Sequence, residues 1–381
     1  MKILVVARCY PKSENNMLGL FERDQAFALK KSGHDVIYAV LDMRSIRQKR
    51  KLGYNRFDDN GIHVYEMNIP LGNLPIKLIA CFEELSMKKL FSKIQAEYGV
   101  PDIVHAHFYK MAVGVQAFFN EKGIPVILTE HSSSVASGRL STGDKKFIFD
   151  TYRKLDGIIA VSHPLASFIY EQSGVQPKVV PNMVDLKSVS LQKKRNERFR
   201  FVSAGNLIER KGFDLLISAM QRVIKVYPDT ELIIYGDGPF RTNYEKMIKE
   251  YRLSHNIILY GRYVRDEIFE KYAEADAFVL ASKGESFGVV YIEAMACGLP
   301  VIGTVCGGPE DFINNEVGIL IPKENVEQLA IAMIEIIKNI ESYDRQLISD
   351  YVSKNFSSEQ VALRLLEVYQ RTINKRKGMM N

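Results

Sequence analysis

Short apolar runs alternate with segments of helical periodicity along most of the chain. In the first half these runs, rich in β-branched residues, are Ile3–Val6, Asp35–Val40, Asp102–His105, Pro125–Thr129 and Gly157–Val161. Runs that are apolar at nearly every position are typical of parallel strands covered by helices on both faces. The pattern therefore predicts successive strand–helix units and a doubly wound parallel sheet.

The alternation stops in a polar and basic stretch, 188–200, and then begins again. The strands expected after it are Phe201–Val202, Glu231–Tyr235, Asn256–Tyr260, Ala277–Leu280 and Pro300–Ile302. A chain of 381 residues is long for one hydrophobic core and suits two domains of ordinary size. The restart therefore predicts two α/β domains, 1–182 and 183–357, followed by an amphipathic helix in 358–381.

The composition is that of an average soluble protein, with 46% apolar and 25% charged residues. The sequence contains no run of about 18 apolar residues, and its start is charged too soon for a secretory signal, so we expect a cytoplasmic protein. The four cysteines are scattered without metal-binding spacing, which favours reduced thiols.

Two glutamates, Glu285 and Glu293, lie on either side of a turn between an apolar strand and a helix. A helix that begins in this way directs free backbone N–H groups and the positive end of its dipole toward phosphate. Glu285 would lie in the loop beside that phosphate, and Glu293 further along the helix. This arrangement predicts a nucleotide-sugar site.

Further motifs occur in both halves of the chain: Gly19–Ala26, Ser32–Val36, His105–Phe108, Thr129–Ser132, Pro181–Asp185, Gly205–Gly212, Tyr235–Pro239 and Gly307–Glu310. Together with 285–293 they resemble the retaining glycosyltransferases of family 4 over nearly the whole chain. The resemblance implies the GT-B fold, two doubly wound Rossmann-like domains facing a central cleft. It also implies that residues 1–182, completed by the helix in 358–381, bind the acceptor, and that residues 183–357 bind the donor.

The resemblance assigns the donor site residue by residue. Lys211 would bind the diphosphate, Glu293 the ribose hydroxyls, and Glu285 the hydroxyls of the donor sugar. Backbone N–H groups would face the sugar or the phosphates, and Val264 would join the nucleotide-binding set. The residues offering backbone N–H groups are Gly19, Ser286, Phe287, Gly288, Val289 and Val290.

One position departs from the family pattern. The family typically has an arginine five residues before the lysine, and here Asn206 stands in its place. Arg210, adjacent to Lys211, is a candidate substitute, although adjacent side chains at the start of a helix rarely point the same way. Asn206 and Arg210 therefore both stay in the predicted site.

Histidines mark the ends of two strands in the first half. The resemblance places His131 beside the reacting sugar, and His107 is a second candidate on the acceptor side. Alternation sends His105 and His107 to the same face, but two histidines without a third ligand do not make a zinc site. No Asp-x-Asp occurs in the sequence, and no G-x-G-x-x-G follows the first strand. We therefore expect no catalytic metal and no nicotinamide or flavin cofactor, with Glu285, His131 and Lys211 as the catalytic residues.

The excess of positive over negative charge lies entirely in the first half of the chain. Residues 1–180 hold 24 Lys and Arg against 18 Asp and Glu, which accounts for the whole formal charge of +6. Basic and apolar residues mix in 44–51 and 74–93, a pattern that fits anionic lipid, nucleic acid or simply a solvated helix. No recognisable nucleic-acid module accompanies them.

Charge and resemblance together give a functional prediction. We expect retaining, metal-independent transfer of a hexosyl-type sugar, with a UDP-sugar favoured as donor. The expected acceptor is a polyprenyl-diphosphate-linked saccharide used in surface polysaccharide synthesis, at the inner face of the membrane. A soluble phosphosugar acceptor, a glycolipid acceptor, a GT-B nucleotide-sugar epimerase and a non-catalytic binder are the alternatives.

Overall fold

The computed structural model describes residues 1–11, 18–136, 138, 140–191 and 197–380, apart from the side chains of Asp266, Met379 and Met380. The chain divides into two compact units, Met1–Met183 with Ser358–Asn381, and Val184–Ser357. The division falls one residue after the boundary expected from the sequence.

The strands in the described residues are β1 Lys2–Ala7, β2 Asp35–Asp42, β3 Gly53–Asp59, β4 Ile62–Asn68, β5 Ile103–His107, β6 Val126–Glu130, β7 Gly157–Ala160, β8 Lys178–Val179, β9 Phe199–Ala204, β10 Thr230–Tyr235, β11 Ile257–Gly261, β12 Ala277–Val279, β13 Val301–Val305 and β14 Gly318–Pro322. The α-helices there are α1 Leu20–Lys31, α2 Ile76–Tyr98, α3 Phe108–Glu121, α4 Ser133–Ala136, α5 Thr142–Tyr152, α6 His163–Ser173, α7 Phe213–Val226, α8 Arg241–Glu250, α9 Arg265–Ala273, α10 Val289–Ala296, α11 Val326–Lys338, α12 Arg345–Phe356 and α13 Ser358–Met380.

The first unit contains an eight-stranded sheet in the order β3-β4-β2-β1-β5-β6-β7-β8. Strand β1 pairs in parallel with β2 on one side and β5 on the other, so the strand order reverses there. Open α/β sheets bind ligands outside the carboxyl ends of the strands at such a switch point. The ends of β1 and β5 are therefore a candidate binding region.

The hairpin β3–β4 is antiparallel and was not predicted. Strand β3 lies at the edge of the sheet and is largely exposed, so its sequence lacks the apolar run expected of a covered parallel strand. A signal was present in Asn60-Gly61, which turns the hairpin with φ of 46° and 82°. Asn-Gly is the dipeptide that a tight type I′ hairpin favours.

The C-terminal helix α13 packs into the first unit. Val361, Leu365 and Tyr369 are fully buried in the same apolar core as the central strands. The side chain of Arg376 also forms an ion pair of 2.7 Å with Asp156. The first unit is therefore built from two separate stretches of the chain.

The second unit contains a six-stranded sheet in the order β11-β10-β9-β12-β13-β14, and every pairing is parallel. Its strand order reverses between β9 and β12. The loops after these two strands therefore form the corresponding candidate region of the second unit. None of the helices in the described part of the chain is long and apolar enough to cross a lipid bilayer.

Candidate active site

Glu285 is the centre of the site at the switch point of the second unit. The carboxylate is buried and accepts hydrogen bonds from Lys211 Nζ at 2.6 Å and from Ser282 Oγ at 2.7 Å. The Arg210 guanidinium lies 3.3 Å from its second oxygen. Burial acts to raise the pKa of Glu285, but the charges of Lys211 and Arg210 outweigh it and hold the pKa below its usual value. Glu285 is therefore an ionised carboxylate held between two cations.

The short 3-10 turn Glu209–Lys211 explains why two adjacent side chains meet the same carboxylate. Gly212 ends the turn with φ of 65°, and a Cβ there would overlap the carbonyl of Ala281 in the loop after β12. Only glycine fits this close approach, which brings Arg210 and Lys211 against the loop after β12. Arg210 also donates to the carbonyl of Gly284. Asn206, by contrast, is exposed.

The loop before α10 is fixed by packing on both sides. Gly288 has φ of 101° and precedes the helix without providing a side-chain cap for its first N–H groups. The ring of Phe287 is buried, with its centroid 5.0 Å from that of Phe312. A Cβ on Gly308 would lie 2.5 Å from the Cα of Phe287. The side chain of Phe287 thus belongs to the hydrophobic core. The N-terminus of α10 has no side-chain cap and is suited to bind an anion.

Glu293 lies on α10 and is also buried. Its carboxylate is 3.6 Å from Arg265 Nε, at the start of α9 and directly after Val264. Val264, Arg265 and Glu293 are therefore brought together around the end of β11. Arg265 was not among the residues predicted from the sequence.

Three histidines form a buried row in the first unit. His107 Nδ1 is 3.2 Å from His131 Nε2, and the rings of His105 and His107 have centroids 4.2 Å apart. His105 also contacts Thr129 Oγ1 and the hydroxyl of Tyr369 on α13, both at 2.6 Å. The structure thus connects the last helix to the predicted acceptor side.

Burial keeps these histidines neutral. It lowers the pKa of His105 to about 3 and that of His131 to about 4, and the pKa of His107 is also well below its usual value. His131 can therefore offer a hydrogen bond near neutral pH but no positive charge. Within the described ranges, no group of three or more His, Cys, Asp and Glu side chains is placed to hold a metal ion.

Gly19 precedes α1 with φ of 85°. A Cβ at this position would lie 2.7 Å from the carbonyl oxygen of Cys9, so the turn requires glycine. The close packing of the turn on the end of β1 explains Gly19 without a ligand. Its predicted contact with the diphosphate remains a prediction.

Buried carboxyl groups are a feature of the first unit that sequence analysis missed. Burial raises the pKa of Glu22 and Glu130 to about 7, and that of Glu83 well above its usual value. Glu130 accepts hydrogen bonds from the backbone N–H groups of Tyr109 and Ser132, which fixes the loops after β5 and β6. In the sequence Glu22 and Glu83 fit helix patterns equally well as surface residues, and Glu130 lies in the motif Thr129–Ser132 without a predicted role.

Comparison with known proteins identifies the family. The model of Glycosyltransferase Family 4 matches residues 23–188, and the model of Glycosyl transferases group 1 matches residues 188–349. An uncharacterised glycosyltransferase of Methanocaldococcus jannaschii is 30% identical over 274 residues, covering 71% of this chain and 75% of its own.

Two further relatives carry more specific names. The GPI3 subunit of phosphatidylinositol N-acetylglucosaminyltransferase from Saccharomyces cerevisiae is 26% identical over 330 residues, covering 81% of this chain and 71% of its own. The N-acetyl-alpha-D-glucosaminyl L-malate synthase of Bacillus anthracis is 23% identical over 388 residues, covering 97% of each chain.

Solved structures show the same fold. The sucrose-phosphate synthase of Thermosynechococcus elongatus superposes with a TM-score of 0.78 at 20% identity, covering 98% of this chain and 99% of its own. Anabaena HepE in complex with UDP has a TM-score of 0.73 at 19% identity, covering 97% of this chain and 100% of its own. The chain therefore belongs to the family 4 glycosyltransferases of the GT-B fold, which use sugar-nucleotide donors, as its motifs predicted.

Proposed function

We propose that this enzyme transfers a hexosyl-type sugar from a UDP-sugar to a polyprenyl-diphosphate-linked saccharide, with retention of configuration and without a metal ion. The carrying observation is the ionised Glu285 held by Lys211 and Arg210 beside the uncapped N-terminus of α10. Two cations and a helix N-terminus form a pocket for a diphosphate. The fold neighbour HepE binds UDP, which supports UDP as the nucleotide.

In the structure Glu285 is the anionic partner of Lys211 and Arg210, a place that a bound diphosphate would take. When a diphosphate binds, it replaces the carboxylate as the partner of Lys211 and Arg210. Glu285 is then free to accept hydrogen bonds from the hydroxyls of the donor sugar. Glu293, oriented by Arg265, accepts those of the ribose.

Retention follows from how the carboxylates are engaged. A double-displacement mechanism needs a free carboxylate beside the anomeric carbon, as in retaining glycosidases. In the donor complex proposed here, Glu285 is instead engaged by the hydroxyls of the donor sugar and Glu293 by those of the ribose and by Arg265. We infer that the acceptor attacks from the face of the departing diphosphate, which takes the acceptor's proton. Lys211, Arg210 and the N-terminus of α10 stabilise the charge that develops on the leaving group, so no metal is required.

A lipid-linked acceptor is supported by one face of α2. Leu78, Phe82 and Leu85 are exposed at helical spacing, and Lys77 and Lys89 beside them are also exposed. An apolar stripe flanked by lysines fits the boundary between anionic headgroups and acyl chains.

The basic segment 44–51 contributes fewer charges than its sequence suggests. Arg44 and Arg50 both form ion pairs with Asp42, at 2.7 and 3.0 Å, so they hold the loop in place. Arg47, Lys49 and Lys51 are exposed. These three lysine and arginine side chains are the ones available to a membrane surface.

A soluble anionic acceptor is the second candidate. The N-acetyl-alpha-D-glucosaminyl L-malate synthase of Bacillus anthracis matches over 97% of both chains, and malate is a small dicarboxylate. An enzyme of that kind needs no membrane face. An epimerase would differ from both because it consumes no acceptor.

The donor proposal is tested by calorimetric titration of nucleoside diphosphates in excess EDTA. UDP is expected to bind, and Lys211→Ala should weaken binding by about 1.5–3 kcal/mol, the loss expected for a charge-assisted contact. The matched control is Lys225→Ala, which removes an exposed lysine from the last turn of α7 in the same unit and should leave affinity unchanged. Failure of every nucleoside diphosphate to bind, or a product of inverted configuration by NMR, would refute the proposal.

A further inference from the structure

Two cations stand at the switch point of the first unit, where no ligand has been assigned. Arg8 follows β1 directly, and Lys110 lies in the first turn of α3, just after β5. Strands β1 and β5 are paired neighbours at the point where the strand order reverses. Ligands of open α/β sheets bind at this place.

Neither cation is paired in the part of the chain that the structure describes. Both side chains are partly buried, and no ion pair joins either to a described carboxylate. The contact of Lys110 there is with the ring of Tyr109, at 5.9 Å. Lys211 and Arg210 in the second unit, by comparison, share Glu285.

The two charges act on each other. Burial, followed by the charge of Arg8, lowers the pKa of Lys110, while Glu83 and Asp144 act in the opposite direction without cancelling the shift. Like charges that are partly removed from water destabilise the fold unless a counter-ion is supplied. An arrangement that breaks local electrostatic preference in this way is typical of a binding site.

Glu83, which acts on both cations, does not supply that counter-ion. Glu83 packs against Gly114, one turn from Lys110 on the same face of α3, and a Cβ on Gly114 would overlap its carboxyl group. One oxygen of the Glu83 carboxyl group has no hydrogen-bond partner, and burial raises its pKa far above the usual value. A protonated Glu83 leaves the positive potential of Arg8 and Lys110 intact.

The backbone beside Lys110 is strained as well. Phe108, at the end of β5, has φ of 64°, which a bulky side chain rarely adopts. Strain of this kind concentrates at ligand sites, where the surrounding structure over-determines the conformation.

We propose that Arg8 and Lys110 form an anion subsite that binds the phosphate or diphosphate group of the acceptor. The inference rests on the proposed transfer to a phosphate-bearing acceptor and names the residues that recognise it. A lipid-linked diphosphate and a free sugar phosphate present the same chemistry to this pair.

The test is calorimetric titration of inorganic pyrophosphate into protein saturated with UDP, so that the Lys211 site is already occupied. Wild type is expected to bind pyrophosphate, and Arg8→Gln/Lys110→Gln should weaken binding by about tenfold or more. Lys146→Gln is the matched control because it removes an exposed charge from the same unit. The single variant Lys110→Gln gives a second reading if the double variant does not fold.

Competition then distinguishes the sources of the phosphate. Displacement of pyrophosphate by farnesyl diphosphate in vesicles, but not by glucose 1-phosphate, assigns the subsite to a lipid-linked acceptor, and the reverse assigns it to a soluble one. The subsite is overturned if UDP-saturated wild type does not bind pyrophosphate, or if the double variant binds it as tightly as wild type. If wild type does not bind UDP at all, the proposed function is overturned instead. The failure of the subsite and the failure of the proposed function therefore give different results.

Discussion

The two units handle buried charge in opposite ways. In the second unit each candidate carboxylate has a cation partner, Glu285 with Lys211 and Arg210, and Glu293 with Arg265. In the first unit Glu22, Glu83 and Glu130 have raised pKa values and the three buried histidines have lowered ones, so neutral forms are favoured. Asp42 is the exception, because it pairs with Arg44 and Arg50. The donor region of the second unit buries ion pairs, whereas the region around β1, β5 and β6 of the first unit buries neutralised groups.

The two arrangements favour different ligands. A buried ion pair keeps its cations oriented, and an incoming anion can replace the internal one with little reorganisation. Neutral buried groups offer directional hydrogen bonds and leave Arg8 and Lys110 without compensation. The second unit is therefore suited to bind an anion that replaces Glu285 at Lys211 and Arg210. The first unit is suited to bind hydroxyl groups through its neutral side chains and one anionic group through Arg8 and Lys110.

The largest effect is expected where the ion pair is broken at Glu285. Glu285→Gln keeps the shape of the side chain but removes its charge, so the donor sugar loses its positioning contact and turnover should fall by about 100-fold. UDP affinity should hold or increase, because no internal carboxylate then competes for Lys211 and Arg210. Steady-state donor consumption and UDP calorimetry measure the two quantities. A parallel fall in both would show that Glu285 does not compete with the diphosphate.

The raised pKa of a buried acid in the first unit predicts that its contribution to stability changes with pH in the opposite direction to that of Glu285. Burial raises the pKa of Glu22 from 4.5 to about 7, with Asp24 acting in the same direction and Arg8 against it. The folded protein therefore holds a proton that the unfolded chain releases, and stability is lost as pH rises from 4.5 to 7. Glu22→Gln carries no such proton, so it should be more stable than wild type at pH 8 by about 2 kcal/mol and similar at pH 5.

Melting temperatures at pH 5 and pH 8 measure this difference. Glu285→Gln is the comparison variant, because Glu285 has a lowered pKa and its stabilisation is present at pH 8 and lost only as pH falls through that lowered value. It should be less stable than wild type at pH 8. Equal pH dependence in the two variants would contradict the contrast between the units.

A smaller effect per residue is expected at the basic surface of the first unit. Each of Arg47→Gln, Lys49→Gln and Lys51→Gln should cost about 1 kcal/mol of affinity for anionic vesicles at low salt, with no change in UDP binding. Arg50→Gln is the matched control, since its guanidinium is engaged by Asp42 and the substitution should lower the melting temperature instead. Vesicle sedimentation at increasing ionic strength provides the measurement. If the wild-type protein does not sediment with anionic vesicles at any salt concentration, the result would favour the soluble acceptor.

The sequence predicted the fold because its signals are local. Apolar strands, glycine turns and motif spacing each depend on a few neighbouring residues. They placed Lys211 and Glu285 at strand–helix junctions and Glu293 on the helix after the second junction. The roles given to these residues and to His131 stay predictions.

Long-range pairing is what the sequence could not show. Arg265 and Glu293 are far apart in the chain, and no spacing rule connects a residue after β11 to a helix after β12. Arg50 and Lys51 are both basic residues of the same segment, and the sequence does not distinguish them. In the structure Arg50 forms an ion pair with Asp42, whereas Lys51 is exposed. Glu22 and Glu83 fit helix patterns equally well as surface residues, because one-dimensional periodicity does not tell which glutamate a neighbouring element will cover.

The hydrogen bond between Tyr369 and His105 has a consequence for biosynthesis. Because α13 is translated after the whole of 184–357, the ribosome completes the second unit before the first unit can close its core. Translation proceeds at about 5–20 residues per second. Until α13 has been made, the apolar surface of the first sheet that this helix covers stays exposed to water. A released chain truncated before Ser358 should therefore expose, in its first half, the apolar surface that α13 covers to chaperones and proteases, although its later half is complete.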